Sequence, residues 1–175
     1  MIPVIVDKIS YHPSSRSYAV LLKGVNKDFT VPIFVGSFEA QSISLALDEI
    51  SSSRPLTHDL ICNIINEMNF TLVSVNITKV IDGIYYSQII INKNNKNIII
   101  DARPSDSISI ALRCKSNILI NQDIINESIS SFKTIVNNNQ LKKESKLELK
   151  QKLRIALEKE EYEEAAKLRD KINRY

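Results

Sequence analysis

The chain has 175 residues, of which 43% are hydrophobic and 25% are charged, an ordinary composition for a globular protein. This length suits one domain with an appendage, and no apolar run approaches the roughly 20 residues that cross a bilayer, so we expect no membrane segment. The net charge of +3 belongs to residues 141–175, because residues 1–140 carry 12 basic and 12 acidic side chains and so lack the bulk positive field of a general nucleic-acid binder.

The N-terminus and the cysteines both indicate an intracellular protein. The first seven residues have no basic segment and reach Asp7 at once, so we expect no signal peptide and a cytoplasmic location. Cys62 and Cys114 are the only cysteines in the sequence, and without a C-x-x-C spacing they predict neither a disulfide framework nor a zinc site. We interpret them as core thiols in a reducing compartment, with a catalytic role as the alternative.

The first part of the chain predicts three strands followed by two helices. Pro32 cannot donate to a sheet ladder, which favours an edge position or a bulge for the third strand. Thr57 is the predicted N-cap of the second helix. The alternating and helical apolar patterns predict strands at 4–9, 18–22 and 30–35 and helices at 39–50 and 58–69.

The next part repeats the sequence of strands and then a helix. An Asp-Gly pair at 82–83 and a polar run at 93–96 supply the turns. A polar break at 137–142 predicts a linker. The apolar patterns predict strands at 72–80, 85–92, 97–100 and 118–120 and helices at 106–113 and 124–136.

An internal repeat connects these two parts. Residues 42–47 nearly duplicate residues 107–112 at an offset of 65, and the same offset aligns residues 33–35 with 98–100. Chance similarity of two apolar helices is the alternative, but a repeat explains the strands and the helix together. We therefore expect an α+β fold with a mainly antiparallel sheet, built from two β-β-β-α pseudo-repeats and followed by an α-helical hairpin.

Charged residues concentrate where strands lead into helices and in the loop after the first helix. A helix N-terminus presents unpaired N–H groups and a positive dipole end, which suits phosphate. The candidate substrate-binding residues are therefore Arg54, Arg103 and Ser105. The candidate catalytic residues are His58, as a general acid or base, and the carboxylates that could hold a divalent cation such as Mg²⁺ or Mn²⁺, namely Glu39, Asp59, Asp101 and Asp106.

These positions also have a purely structural interpretation. Thr57, Asp59, Ser105 and Asp106 are residue types that helix starts select for capping. An arginine in an Arg-Pro loop often pairs with a neighbouring aspartate, and a lone histidine is more often structural than catalytic. The residue types alone leave both interpretations open.

Three ordered strings add a resemblance over roughly residues 2–135. They are PIFVG followed by Glu39 and Ala40, RPLTHDL at 54–60, and DARPSDSI at 101–108 followed by ALR at 111–113. Together they resemble the bifunctional nuclease family, also known as the DUF151 domain. The resemblance implies DNase and RNase activity, with DNA or RNA as the substrate. Ser107 stands where that family more often has alanine.

Residues 143–175 differ in character from the rest of the chain. They are rich in charge, lack glycine and proline, and predict two helices around a turn at 159–161. The string at 156–172 resembles the UVR motif, the interaction hairpin shared by UvrB, UvrC and adaptors of Clp-type chaperones; a solvated tail is the alternative. The resemblance implies contact with a protein partner through Leu153, Leu157, Tyr162, Ala165, Ala166, Leu168, Arg169 and Ile172.

The sequence thus predicts a nuclease-like domain at 1–136, a linker at 137–142 and a hairpin at 143–175. The leading hypothesis is a nuclease that hydrolyses phosphodiester bonds of DNA, RNA or both and binds a protein partner through the hairpin. A non-catalytic adaptor is the second hypothesis, and an anion sensor that uses the same arginine loops is the third. Exposed edge strands and the small hairpin favour a homo-oligomer.

Overall fold

The computed structural model describes residues 1–12, 16–128, 151–157 and 162–173. The chain divides into two compact units, Met1–Ser128 and Ile129–Tyr175. The predicted linker at 137–142 and the predicted hairpin turn at 159–161 lie outside the described residues. Within the described part of the chain, no helix has the length and apolar character needed to cross a membrane.

The first unit has the predicted α+β composition. The helix predicted at 124–136 is described over residues 122–128, and residues 129–136 lie outside the described residues. This helical segment begins 65 residues after the second helix begins and so extends the repeat. The elements that the structure bounds are β1 (Ile2–His12), β2 (Ser17–Gly24), β3 (Thr30–Val35), α1 (Ser37–Leu47), α2 (Thr57–Glu67), β4 (Thr71–Ile81), β5 (Ile84–Lys93), β6 (Lys96–Ala102), α3 (Pro104–Arg113) and β7 (Asn117–Ile120).

One mainly antiparallel sheet has the symmetry that the repeat predicts. Its strand order is β3-β2-β1-β7-β4-β5-β6, with one three-stranded meander on each side of β7. β7 is antiparallel to β1 and parallel to β4, so β1 and β4 run in opposite directions, as a twofold axis normal to the sheet requires. Pro32 lies in β3 at one edge of the sheet, which confirms its predicted edge position.

The helix boundaries differ from the predicted ones by up to three residues, although α3 ends at Arg113 as predicted. α1 begins at Ser37 rather than 39 and ends at Leu47 rather than 50. The N-cap of α2 is Leu56, so the assignment of Thr57 was wrong. The cause is the carboxylate of Asp59, which accepts a hydrogen bond from the Leu56 N–H at 2.8 Å and closes the first turn. α3 begins two residues early at Pro104, where the missing N–H costs nothing.

α3 is the most deeply embedded helix of the first unit. Ile108, Ile110 and Ala111 are buried against strand residues such as Ile77. Polar groups on the same helix also find partners, because the Ser107 hydroxyl lies 2.6 Å from that of Ser87. The fully buried Ser107 is therefore satisfied by hydrogen bonding.

The two cysteines meet although 52 residues separate them. Cys62 of α2 is buried, Cys114 is the C-cap of α3, and their Sγ atoms lie 2.6 Å apart as free thiols. The contact with Cys114, together with burial, raises the pKa of the Cys62 thiol. A neutral, buried Cys62 fits the interpretation as a core thiol.

The second unit contains two helical segments, residues 151–157 and Tyr162–Asn173. Ala156 and Ala165 are buried, whereas Leu157 and Tyr162 are exposed. Of the other predicted contact residues, Leu153, Leu168 and Ile172 are half-buried, and Ala166 and Arg169 are exposed. The helical pair predicted for this part of the chain is therefore confirmed.

Arg113 connects three helices at the end of α3. Its Nε donates to Asp59 Oδ1 in α2 at 2.7 Å, and its Nη2 donates to the Ser42 carbonyl oxygen in α1 at 3.2 Å. Its Nη1 donates to the Ser109 carbonyl oxygen in α3 at 3.1 Å, and the side chain is only 9% exposed. We call these contacts the Arg113 clamp. The clamp fixes the middle of α1 and the start of α2 relative to the C-terminal end of α3.

We predict that Arg113→Met lowers the free energy of unfolding by about 2 kcal/mol, because the substitution leaves a carboxylate and two carbonyl groups without their charged donor. Lys115→Met is the matched control, since Lys115 pairs with Glu49 at 3.2 Å but is 80% exposed, and its loss should cost about 0.5 kcal/mol or less. Chemical denaturation measures both values. Equal losses would show that the clamp adds no more than a surface pair.

A candidate active site at the starts of two helices

A cleft of about 280 Å³ opens where β3 leads into α1 and β6 leads into α3. Its lining includes the apolar side chains of Phe34 and Tyr85 and the polar side chains of Glu39, Arg103 and Ser105. Because α1 and α3 are equivalent helices of the repeat, the cleft brings together corresponding corners of the two halves. The helix N-termini make this region attractive to an anion.

An ion-paired cluster stands at this cleft. Arg103 is the N-cap of α3, and its Nε and Nη2 donate to the two carboxylate oxygens of Asp106 at 2.8 and 3.1 Å. Its Nη1 donates to Glu39 Oε1 at 3.4 Å, across 64 residues of sequence. The Arg103 side chain is 66% exposed. The guanidinium is therefore accessible to solvent even though two carboxylates hold it.

His58 lies behind Asp106 at the start of α2. Its Nε2 is 3.3 Å from Asp106 Oδ1, and its Nδ1 is 3.0 Å from the Ser42 hydroxyl in α1. With the proton on Nε2, the ring donates to Asp106 and accepts from Ser42. Both ring nitrogens are engaged and the side chain is only 17% exposed, so this arrangement suits an orienting group.

Gly36 gives the Glu39 carboxylate its position. A Cβ atom at Gly36 would lie only 2.5 Å from Glu39 Oε2. The carboxylate therefore lies next to the backbone of Gly36, immediately before α1. Gly36 has φ −72° and ψ 173°, a conformation that alanine also adopts. A side chain at position 36 would therefore displace the Glu39 carboxylate and would not strain the backbone.

Hydrogen bonds lower the pKa values of two carboxyls near these helix starts. Burial acts to raise the pKa of Asp106, but the hydrogen bonds from Arg103 and His58 outweigh it and bring it below its ordinary value. Burial is also outweighed at Asp59, whose pKa the Leu56 N–H and Arg113 lower. Both groups are therefore ionised at neutral pH, as their cationic partners require.

The structure brings together four of the eight candidate residues and places Ser105 on the wall of the same cleft. Asp59 instead caps α2 and binds Arg113, which are the contacts of a structural residue. Arg54 lies in the exposed loop between α1 and α2. Asp101 is exposed on β6 opposite Gln88. The cluster consists of Glu39, His58, Arg103 and Asp106.

Sequence reasoning missed three supporting residues, Gly36, Ser42 and Arg113. The repeat offered a signal for Ser42, because it aligns with Ser107 at the offset of 65. Nothing in the sequence indicated that Arg113 would contact Asp59, since the two lie 54 residues apart. In the described residues, no three side chains of His, Cys, Asp or Glu are arranged to hold a metal ion.

Two family matches cover most of the chain. Residues 20–133 match the bifunctional nuclease domain, and residues 143–175 match the UvrB/UvrC motif. Both agree with the resemblances drawn from the sequence strings. The candidate cluster, from Glu39 to Asp106, lies within the first match.

Several curated proteins are similar to this chain. An uncharacterised protein of Mycobacterium tuberculosis is 37% identical over 106 residues, which are 61% of this chain and 63% of that protein. Bifunctional nuclease 1 of Oryza sativa subsp. japonica is 30% identical over 115 residues, 63% of this chain and 35% of the rice protein. Bifunctional nuclease 2 of Arabidopsis thaliana is 22% identical over 171 residues, 83% of this chain and 51% of that protein. The chain thus spans less than two thirds of each relative.

The two lowered pKa values predict a loss of stability in acid. A carboxyl with a lowered folded-state pKa stabilises the protein fully above its unfolded value of 3.8, and this contribution disappears as the pH falls through the lower folded-state value. We therefore expect the free energy of unfolding to decrease from about pH 5 to pH 3. Asp106→Asn and Asp59→Asn should each reduce this slope in denaturation curves across that range. An unchanged slope in both variants would contradict the assigned contacts.

Proposed function

Since the chain belongs to the bifunctional nuclease domain family over residues 20–133, we propose that it is a nuclease that cleaves phosphodiester bonds of DNA or RNA in the cleft between α1 and α3. The observation that carries this proposal is the exposed guanidinium of Arg103, held by carboxylates from both halves of the repeat. The related plant proteins that are named bifunctional nucleases support it.

Arg103 is the group that would bind the phosphodiester. It lies at the positive dipole end of α3, where a cation is disfavoured, and its exposed face can exchange Asp106 or Glu39 for a phosphate oxygen. A guanidinium binds two phosphate oxygens at once, which fixes the orientation of the scissile group. The unpaired N–H groups at the start of α3, near Ser105, add further donors.

The charge of the cluster favours a further cation during catalysis. Two carboxylates and one guanidinium leave a net negative charge when His58 is neutral, and a phosphodiester adds another. Glu39 and Asp106 are the pair that would hold Mg²⁺ or Mn²⁺ together with an oxygen of the substrate, the donor set such ions commonly take. The cation would supply charge stabilisation on the phosphoryl oxygens.

The remaining groups of the cluster have distinct roles in this proposal. Glu39 makes the longer contact with Arg103, and the carboxylate oxygen that does not hold the cation would take a proton from the attacking water. His58 acts as a positioning residue, because Ser42 and Asp106 engage its two nitrogens and hold the Asp106 carboxylate in place. Stabilisation of the phosphoryl charge by Arg103 is the largest expected contribution to rate.

We expect Arg103→Ala to lower kcat/KM for cleavage of DNA and RNA by about 100-fold, because it removes the donor to the developing phosphoryl charge. Purified full-length protein is assayed with Mg²⁺, Mn²⁺ or EDTA on single- and double-stranded substrates. Lys115→Ala is the matched control, since Lys115 is 80% exposed and lies beyond the far end of α3, and its cleavage rate should stay at the wild-type value. Cleavage that survives Arg103→Ala unchanged would indicate a contaminating nuclease and end this assignment.

A second variant tests the same site without removing a charged group. Gly36→Ala should displace the Glu39 carboxylate, because the new Cβ would occupy its position, while the extended backbone accepts alanine. The melting temperature should therefore stay near that of the wild type while the cleavage rate falls. Full activity in this variant would show that the position of Glu39 does not matter for the reaction.

For the second unit we propose that the hairpin binds a protein partner by helix packing, which would recruit the nuclease domain. The match to the UvrB/UvrC motif and the exposed apolar side chains of Ile155, Leu157 and Tyr162 support this proposal. A non-catalytic adaptor remains the alternative function, favoured by the same motif if cleavage is absent.

Leu157→Asp should reduce partner capture by the immobilised full-length protein to a small fraction of the wild-type amount, because a carboxylate would replace an exposed apolar contact. Lys152→Glu on the exposed face of the same helix is the control and should leave capture intact. Quantitative mass spectrometry of the captured proteins compares the variants. Equal capture by all three proteins would show that the hairpin is not the binding element.

A further inference from the structure

β6 is an edge strand with an unusual surface. It pairs with β5 on one side, and within the described part of the chain no strand pairs with its other side. Its central residues are all exposed, with Ile98 at 44%, Ile99 at 62% and Ile100 at 43%. Successive residues of a strand point to opposite faces, so apolar side chains are exposed on both faces of this edge.

The other edge of the sheet is protected. β3 carries Pro32, which cannot donate to an added strand, and its Val31, Ile33 and Val35 are buried. β6 has no proline, and the residues of its pairing with β5 follow one another without a register shift. A flat, apolar, unpaired edge normally invites another strand. β6 therefore lacks the protection that β3 has.

We propose that the partner is a second copy of this chain, whose β6 pairs antiparallel with this β6 about a twofold axis at Ile99. Directly opposite residues in a continuous sheet lie on the same face, and side chains alternate between faces along a strand. The two copies must therefore pair odd-numbered residues with odd-numbered ones and even-numbered residues with even-numbered ones. Centring on Ile99 satisfies this condition. It sets Ile99 opposite Ile99, Ile98 opposite Ile100, and Asn97 opposite Asp101, all across the axis.

The charges of the strand favour this antiparallel register. Lys96 lies at one end of β6 and Asp101 near the other, so antiparallel pairing brings unlike ends together, whereas an in-register parallel pairing would place Asp101 against Asp101. Asn97 is already oriented, because its Oδ1 accepts from Asn92 Nδ2 at 2.6 Å. Its amide hydrogens are then left to donate to the carboxylate of Asp101 across the axis.

This assignment gives Asp101 a role outside the candidate active site. Asp101 lies two residues before Arg103 in sequence, so the paired strands would adjoin the start of α3 in both copies. The dimer would join the two seven-stranded sheets into one continuous sheet. Dimerisation through β6 does not depend on nuclease activity, so the two proposals are tested by separate experiments.

Sedimentation velocity over a wide range of protein concentration tests the proposal on the full-length chain. Wild-type protein should reach a mass of about 40 kDa, twice the 19.9 kDa of one chain. Ile99→Lys should raise the dissociation constant by about tenfold or more, since it sets two like charges face to face on the axis. Ile64→Lys, on helix α2 and 48% exposed, is the matched control and should dimerise like the wild type.

A second pair of variants tests the register. Asn97→Asp should weaken the dimer by setting two carboxylates opposite each other, and Asn97→Lys should preserve or strengthen it by facing Asp101. Melting temperatures check that each variant is folded. A monomeric wild type would overturn the proposal and indicate that another segment or protein covers β6. A dimer that Ile99→Lys leaves intact would overturn it too, by assigning the contact to another surface.

Discussion

The arrangement of the candidate site depends on the Arg113 clamp. One guanidinium reaches Asp59 of α2 and the backbone carbonyl of Ser42 in α1 while it remains anchored on α3. His58 is next to Asp59 in sequence, and the Ser42 side chain is its hydrogen-bond partner. The clamp therefore sets the distance between His58 and Asp106, because it fixes the helix that carries each of them. A flexible connection would not hold these atoms within hydrogen-bonding distance.

The two arginines at the ends of α3 differ in burial and in their position relative to the helix dipole. Arg113 lies at the negative dipole end, is nearly buried and donates its hydrogen bonds to protein groups. Arg103 lies at the positive end, where the dipole opposes a cation, and most of its side chain remains in solvent. Two carboxylates offset this unfavourable placement. An arginine in such a position contributes little to folding, and its exposed donors are available to an anion.

Duplication accounts for the cleft. α1 and α3 occupy equivalent places after equivalent meanders, and the pseudo-twofold axis brings their starts together. The two halves carry different side chains at these helix starts. α1 supplies Glu39, which packs against Gly36, and α3 supplies Asp106 together with its N-cap Arg103. Each half alone holds only part of the cluster. The site therefore belongs to the packed pair.

The sequence by itself determined the elements, the repeat, the antiparallel α+β fold and the edge position of Pro32, because periodicity and backbone chemistry are local. It also proposed Glu39, His58, Arg103 and Asp106 among its eight candidate site residues. Only the tertiary structure decided that these four meet while Asp59 is engaged by Arg113, and that β7 enters the centre of the sheet. The side-chain contacts join residues 48 to 64 positions apart, and β7 pairs with β1 across more than 110 positions. Packing sets the geometry of such contacts, and they leave no local pattern.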